Sequence, residues 1–287
     1  MKKNLSIILS ILAVLMLFAG CNINNNTESG SDKIIVAVSI VPEQTFVEAV
    51  CGNLVDIVTI VPPGSSPETY EPSPKEMLEF NQAEIYFSVG VEIEEASIMP
   101  NVGDKKVVAL ADEVAKVYDN ISFESGGRDP HIWLSPKRVK VMINVIAEEM
   151  GKLDPDNKTK YAENAQAYIE KLNELDLEIK NALDGVQNRK FIVFHPAFGY
   201  LAADYGLTMY SLEEEGKEAT AQHLQEMIDL AKAENIKVIF YQEEIDSNQS
   251  KAFAEELGGK TIQLAPLAAN YIENLEAMAS TIAEAME

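Results

Sequence analysis

The sequence predicts an α/β protein of two lobes, each a mainly parallel sheet flanked by helices, joined by one long rigid α-helix. Short β-rich runs alternate with helical patterns from residue 33 onward. A second alternation of the same kind begins at residue 190, and one uninterrupted amphipathic stretch lies between the two. Strands that alternate with helices imply parallel pairing through right-handed crossovers. A chain of 287 residues has room for two such lobes, each burying its own core.

The first segment is an address. Lys2 and Lys3 precede an apolar run over 5–19, shorter than the roughly 20 residues that span a membrane and suited to a secretory signal. Residues 1–20 are therefore expected to be a signal peptide. Ala19 and Gly20 before Cys21 resemble a bacterial lipobox, which makes Cys21 the acylated first residue of the mature chain. Residues 21–32 are rich in Asn, Ser and Gly and have nothing to bury, so they read as a flexible tether. The expected location is extracytoplasmic, lipid-anchored to the outer face of the cell membrane. The only other cysteine is Cys51, read as a small buried residue, so no intrachain disulfide is expected.

The N-terminal lobe is expected over 33–155, with strands at 34–40, 55–61, 85–89 and 106–110 and a helix over 42–50. Ser73, Pro74 and Glu76 form a capping box with proline at the first helical position, which starts a helix there. Ser135-Pro136 repeats the signal and opens a helix to about residue 150. Over 156–184, Tyr161, Ala165, Tyr168, Leu172, Leu175 and Ile179 recur at three- and four-residue steps. That pattern is a single helix of about 40 Å, the linker over 156–185. The C-terminal lobe, 186–287, has strand patterns at 191–194, 207–212, 237–241 and 261–264. Helical patterns at 220–234, 248–257 and 270–286 fall between and after them.

Charge narrows the function. With 23 Lys+Arg against 46 Asp+Glu the formal net charge is −23, which argues against nucleic acid and anionic lipid as partners. No Cys-x-x-Cys pair, P-loop, His-Glu-x-x-His or Gly-x-Ser-x-Gly motif is present. Histidine is scarce: His131, His195 and His223. His131 lies in a proline-bounded loop before a helix start, and His195 directly follows an apolar strand, where open α/β sheets place their ligand crevice. His223 and the acidic run Glu213–Glu215 with Glu218 read as solvated surface. Glu68 follows three prolines after the second strand, again at a strand end. Two imidazoles and a carboxylate suit Zn²⁺ and also Mn²⁺.

Three segments carry a family resemblance. They are Pro-Pro-Gly-Ser-Ser-Pro-Glu68-Thr-Tyr-Glu-Pro-Ser-Pro, Asp-Pro-His131-Ile-Trp-Leu-Ser-Pro and Phe-His195-Pro-Ala-Phe-Gly-Tyr, with Glu215-Gly-Lys-Glu218 a further landmark. In this order, with the long helix between the second and third, the chain resembles the metal-binding lipoproteins of zinc and manganese ABC importers, the ZnuA/TroA-like or adhesin-B-like family. The resemblance implies a monomeric receptor, not an enzyme, that captures a divalent metal between the lobes and hands it to an ABC permease. It implies Glu68, His131 and His195 as ligands. Two departures stand out. Glu68 replaces the family's usual histidine, and the loop over 264–270 lacks the family's usual acid. Glu243 or Glu244, at another strand end, is then the possible fourth ligand. Zinc is favoured over manganese as the transported ion by the affinity order. The alternatives are a zinc-dependent hydrolase using the same ligands, or a surface adhesin.

Overall fold

The computed structural model describes residues 33–123, 125–213, 219–245 and 248–286. The expected signal peptide, the tether, Cys21 and the stretch 214–218 lie outside the described residues. The N-terminal lobe runs β1 (Ile34–Val38), α1 (Val41–Cys51), β2 (Val55–Thr59), α2 (Pro74–Phe80), β3 (Ile85–Ser88), β4 (Lys106–Ala109), α3 (Leu110–Ala115) and α4 (Pro136–Leu153). The long helix α5 (Lys158–Asp184) follows. The C-terminal lobe runs β5 (Lys190–Val193), α6 (Gly199–Tyr205), β6 (Thr208–Ser211), α7 (Ala221–Ala233), β7 (Val238–Gln242), α8 (Asn248–Glu256), β8 (Lys260–Leu264) and α9 (Tyr271–Met286). Every strand pairing is parallel. The sheets are ordered β2-β1-β3-β4 and β6-β5-β7-β8, so the two lobes share one topology. In each, the strand order reverses beside the first strand, and the loops that leave the carboxyl ends there border a crevice.

The starts of α2 and α4 follow from their caps. Ser73 Oγ accepts from the Glu76 backbone N–H at 3.3 Å, and Glu76 returns the bond to the Ser73 N–H at 2.6 Å. Ser135 Oγ accepts likewise from Arg138 N. Alternate residues of β5 face opposite ways, as strand geometry requires. Phe191 and Val193 join a core that continues through α4, α5 and α9 into the first sheet. Ile192 and Phe194 pack on the other side with Leu212, Ile239 and Phe253. That shared core makes Ile34–Glu287 one compact unit. Cys51 is buried within it, and burial pushes its thiol up to about 12. Among the described residues no helix is long and apolar enough to cross a membrane.

Polar contacts join the lobes in several places, and two of them lie away from the strand-end crevice. At the first, Arg138 of α4 pairs with Asp204 of α6 at 2.7 Å, both nearly buried. Ser135 Oγ donates to the same Asp204 oxygen, and the Arg138 guanidinium lies 4.4 Å from the Tyr200 ring centroid. At the second, the loop after β8 is held by its carbonyls. Pro266 O accepts from Trp133 Nε1 at 3.1 Å and Ala269 O from Thr45 Oγ1 at 2.7 Å, while Tyr271 OH donates to Trp133 O at 2.7 Å. The segment that lacks an acid thus works as a brace.

A cluster of acids is buried in the N-terminal lobe. Glu43 Oε2 accepts from the backbone N–H of Ser39 at 2.9 Å and of Ile40 at 3.2 Å, whereas its Oε1 has no partner. Glu94 accepts from Ser39 Oγ, Val89 N and Gly90 N. Burial, reinforced by the Glu94 charge, holds the Glu43 carboxyl well above its ordinary range. A carboxyl whose pKa is raised in the folded state stabilises the fold below its unfolded pKa, and that contribution is lost as pH rises through the folded value. Glu43→Gln, neutral at every pH, should therefore match the parent near pH 4. At pH 8 it should exceed it by on the order of 1 kcal/mol, or about 2–4 °C in Tm. Equal melting curves at pH 8 would show that Glu43 carries no such penalty.

Candidate metal centre

The strand ends and proline-stiffened loops bring together three residues far apart in sequence. Glu68 leaves the loop after β2, His131 sits five residues before α4, and His195 follows β5 by two residues. One ligand atom from each lies within 4.8 Å of the other two. His131 Nε2 and His195 Nε2 are 3.1 Å apart, and His195 Nε2 is 2.7 Å from Glu68 Oε1. Donors about 2.0–2.1 Å from a tetrahedral zinc stand roughly 3.3 Å from one another, so small outward shifts would fit an ion between them. Both histidines are buried and Glu68 is nearly so.

Each histidine is aimed by a buried carboxylate. Asp129 Oδ1 lies 2.7 Å from His131 Nδ1 and also accepts from the His131 backbone N–H at 2.9 Å. Glu213 Oε1 bonds His195 Nδ1. A carboxylate on the far nitrogen fixes the tautomer and ring orientation and raises the basicity of the nitrogen left for the metal. Burial alone would lower the pKa of His195, but the hydrogen bonds and charges of Glu213 and Glu68 outweigh it and lift it to about 9. Burial would raise the Glu68 carboxyl, yet the hydrogen bond from His195, its charge and that of His131 hold it below the usual range.

Other residues are placed differently from expectation. Glu213 is not solvated: it is 6% exposed, because its backbone N–H donates to the Phe194 carbonyl and its carboxylate turns onto His195. His223 is half-buried at the first turn of α7, its Nε2 3.0 Å from Ser211 O. Glu243 is exposed. Glu244 is partly buried, and its Oε2 is enclosed without a hydrogen-bond partner. Burial, with the charges of Glu243 and Glu68, raises its carboxyl. Neither acid belongs to the cluster within 4.8 Å. The residues that sequence reasoning missed are Asp129 and the role of Glu213. An acid two residues before a histidine was a usable signal for the first, whereas nothing local pairs Glu213 with His195, 18 positions away.

Comparison with known proteins identifies the family. The ZnuA family, described as zinc-uptake complex component A, periplasmic, matches residues 36–285. The chain belongs to the ZnuA family. A ZnuA crystal structure superposes on it with a TM-score of 0.83 at 37% identity, covering 89% of this chain and 100% of that one. The high-affinity zinc uptake system protein ZnuA of Bacillus subtilis (strain 168) is 29% identical over 281 residues, 91% of this chain and 88% of its own. The zinc-binding protein AdcA of Streptococcus pyogenes serotype M1 is 28% identical over 292 residues, 93% of this chain but 56% of its own length. The chain thus spans about half the length of those streptococcal relatives. Two parallel sheets joined by one long helix are the architecture the family fold requires, and the chain has it.

Proposed function

We propose that this chain is an extracytoplasmic solute-binding protein, and not an enzyme, that captures Zn²⁺ between its lobes and delivers it to an ABC importer permease. The observation that carries the reading is the convergence of Glu68, His131 and His195 on one point, with each imidazole oriented by its own buried carboxylate. Imidazole donors and the affinity order favour zinc over manganese. Glu68 and His131 come from the N-terminal lobe and His195 from the C-terminal lobe, so the ion cross-links the cleft. The leader sequence, ending at Cys21, supports a lipid anchor outside the cytoplasmic membrane, and a monomer is the working unit.

Of the two possible fourth ligands, Glu244 is the better one, since its enclosed oxygen lacks a partner while Glu243 faces solvent. Two carboxylates and two neutral imidazoles would leave a bound dication uncharged, which lowers the cost of burying it. Chelator-competition titration of the parent and three variants tests this. Glu68→Ala should weaken zinc binding by roughly 100-fold or more, Glu244→Gln by about 10-fold, and Glu243→Gln hardly at all. Full affinity in Glu68→Ala would remove it as a ligand, and full affinity in Glu244→Gln would leave the fourth position to water.

A further inference from the structure

The loop bearing His131 and the helix that follows His195 meet at a single notch. Asp129 is 1% exposed, and its Oδ1 is committed to the backbone and the ring of His131. Its carbonyl accepts from Tyr200 OH at 3.0 Å, and the Tyr200 oxygen accepts from Ile121 N at 3.2 Å. Its second oxygen, Oδ2, lies over Gly199. A Cβ added at Gly199 would stand 2.6 Å from that oxygen, closer than any real Cβ contact. Gly199 is not among the residues with positive φ, so space and not backbone freedom calls for glycine there. Gly199 and Tyr200 open α6, four and five residues after His195.

We infer that Gly199 and Tyr200 are positioning residues for metal capture: the notch at Gly199 and the Tyr200 hydroxyl seat Asp129, and Asp129 aims His131 at His195. This rests on the reading of His131 and His195 as ligands. Asp129 is a short side chain whose other oxygen is already engaged, so a methyl group at residue 199 cannot push it aside without turning the His131 ring. The space it would retreat into is a cavity of about 640 Å³ bordered by Asp129, Gly199 and Glu213. The expected damage is therefore lost aim and not unfolding. The notch belongs to the C-terminal lobe and Asp129 to the N-terminal lobe, so the two histidines are held in register before any ion arrives.

A double-mutant cycle read by zinc affinity tests the inference. Gly199→Ala should weaken zinc binding by about 10- to 100-fold, the usual effect of disturbing a ligand's orienting partner. In an Asp129→Ala background, where the obstructing carboxylate is gone, the same change should add nothing. Co²⁺ loaded into Gly199→Ala should show an altered visible spectrum, since its ligand geometry has changed. Affinity within twofold of the parent, or an equal loss in both backgrounds, overturns the proposal. Should Gly199→Ala fail to fold by circular dichroism, Tyr200→Phe takes its place. It frees the Asp129 carbonyl and should bind zinc several-fold more weakly than the parent, and no loss overturns the proposal. A parent protein that binds no zinc would instead sink the ligand reading itself.

Discussion

Alanine at His131 or His195 will abolish the zinc-dependent rise in thermal stability. A ligand that binds only the folded state adds RT ln(1 + [L]/Kd), about 2.7 kcal/mol at 100 times its Kd. For a chain of this size that is a shift of roughly 5–10 °C. Each substitution takes away an imidazole from a three-residue cluster and strands the carboxylate behind it, Asp129 or Glu213, both buried. The metal-free variants should therefore also melt below the metal-free parent, by about 1–3 kcal/mol for the lost hydrogen-bond partner. Scanning calorimetry of chelator-treated protein, with and without added zinc, separates the two losses. A His195→Ala protein that keeps the full zinc shift would disprove the site.

Asp204→Ala will strongly destabilise the metal-free protein. Arg138 and Asp204 pair across the lobes at 2.7 Å with little solvent contact. Removing the carboxylate leaves a guanidinium buried without its counter-charge, at a cost of about 3–5 kcal/mol or a fall of roughly 6–20 °C. Replacing both partners by apolar residues, Arg138→Met with Asp204→Leu, should recover most of the loss, because a buried pair gains little net stability over well-packed hydrocarbon. The penalty lies in the orphaned charge. A single variant melting within 2 °C of the parent would show that water reaches Arg138 and screens it.

Much of this fold can be read from local pattern. The four strand patterns of each half, the capping box at Ser73, the N-cap and proline at Ser135-Pro136 and the three- and four-residue rhythm of the long helix all correspond to elements, with strand ends moved by a residue or two. Helices α3 and α6 escape such a reading because six or seven residues complete too few turns to show a period. Glu68, His131 and His195 are legible for a different reason: prolines and strand ends fix where each side chain leaves the sheet. Long-range partners are the illegible part. An acidic run looks solvated until the Phe194 carbonyl fixes the Glu213 backbone beside His195. A glycine in Ala-Phe-Gly-Tyr carries no sign that Asp129, 70 positions earlier, fills the space beside it.

The indole of Trp133 stands 5.1 Å from the His131 ring, with its N–H on the Pro266 carbonyl, and no other tryptophan exists in the chain. Tryptophan emission, excited selectively over the tyrosines, consequently originates at one address, beside the ion's berth and touching the brace between the halves. Loading and unloading can be watched in real time on the unlabelled molecule, down to stopped-flow dead times, with no dye attached to disturb what is being timed.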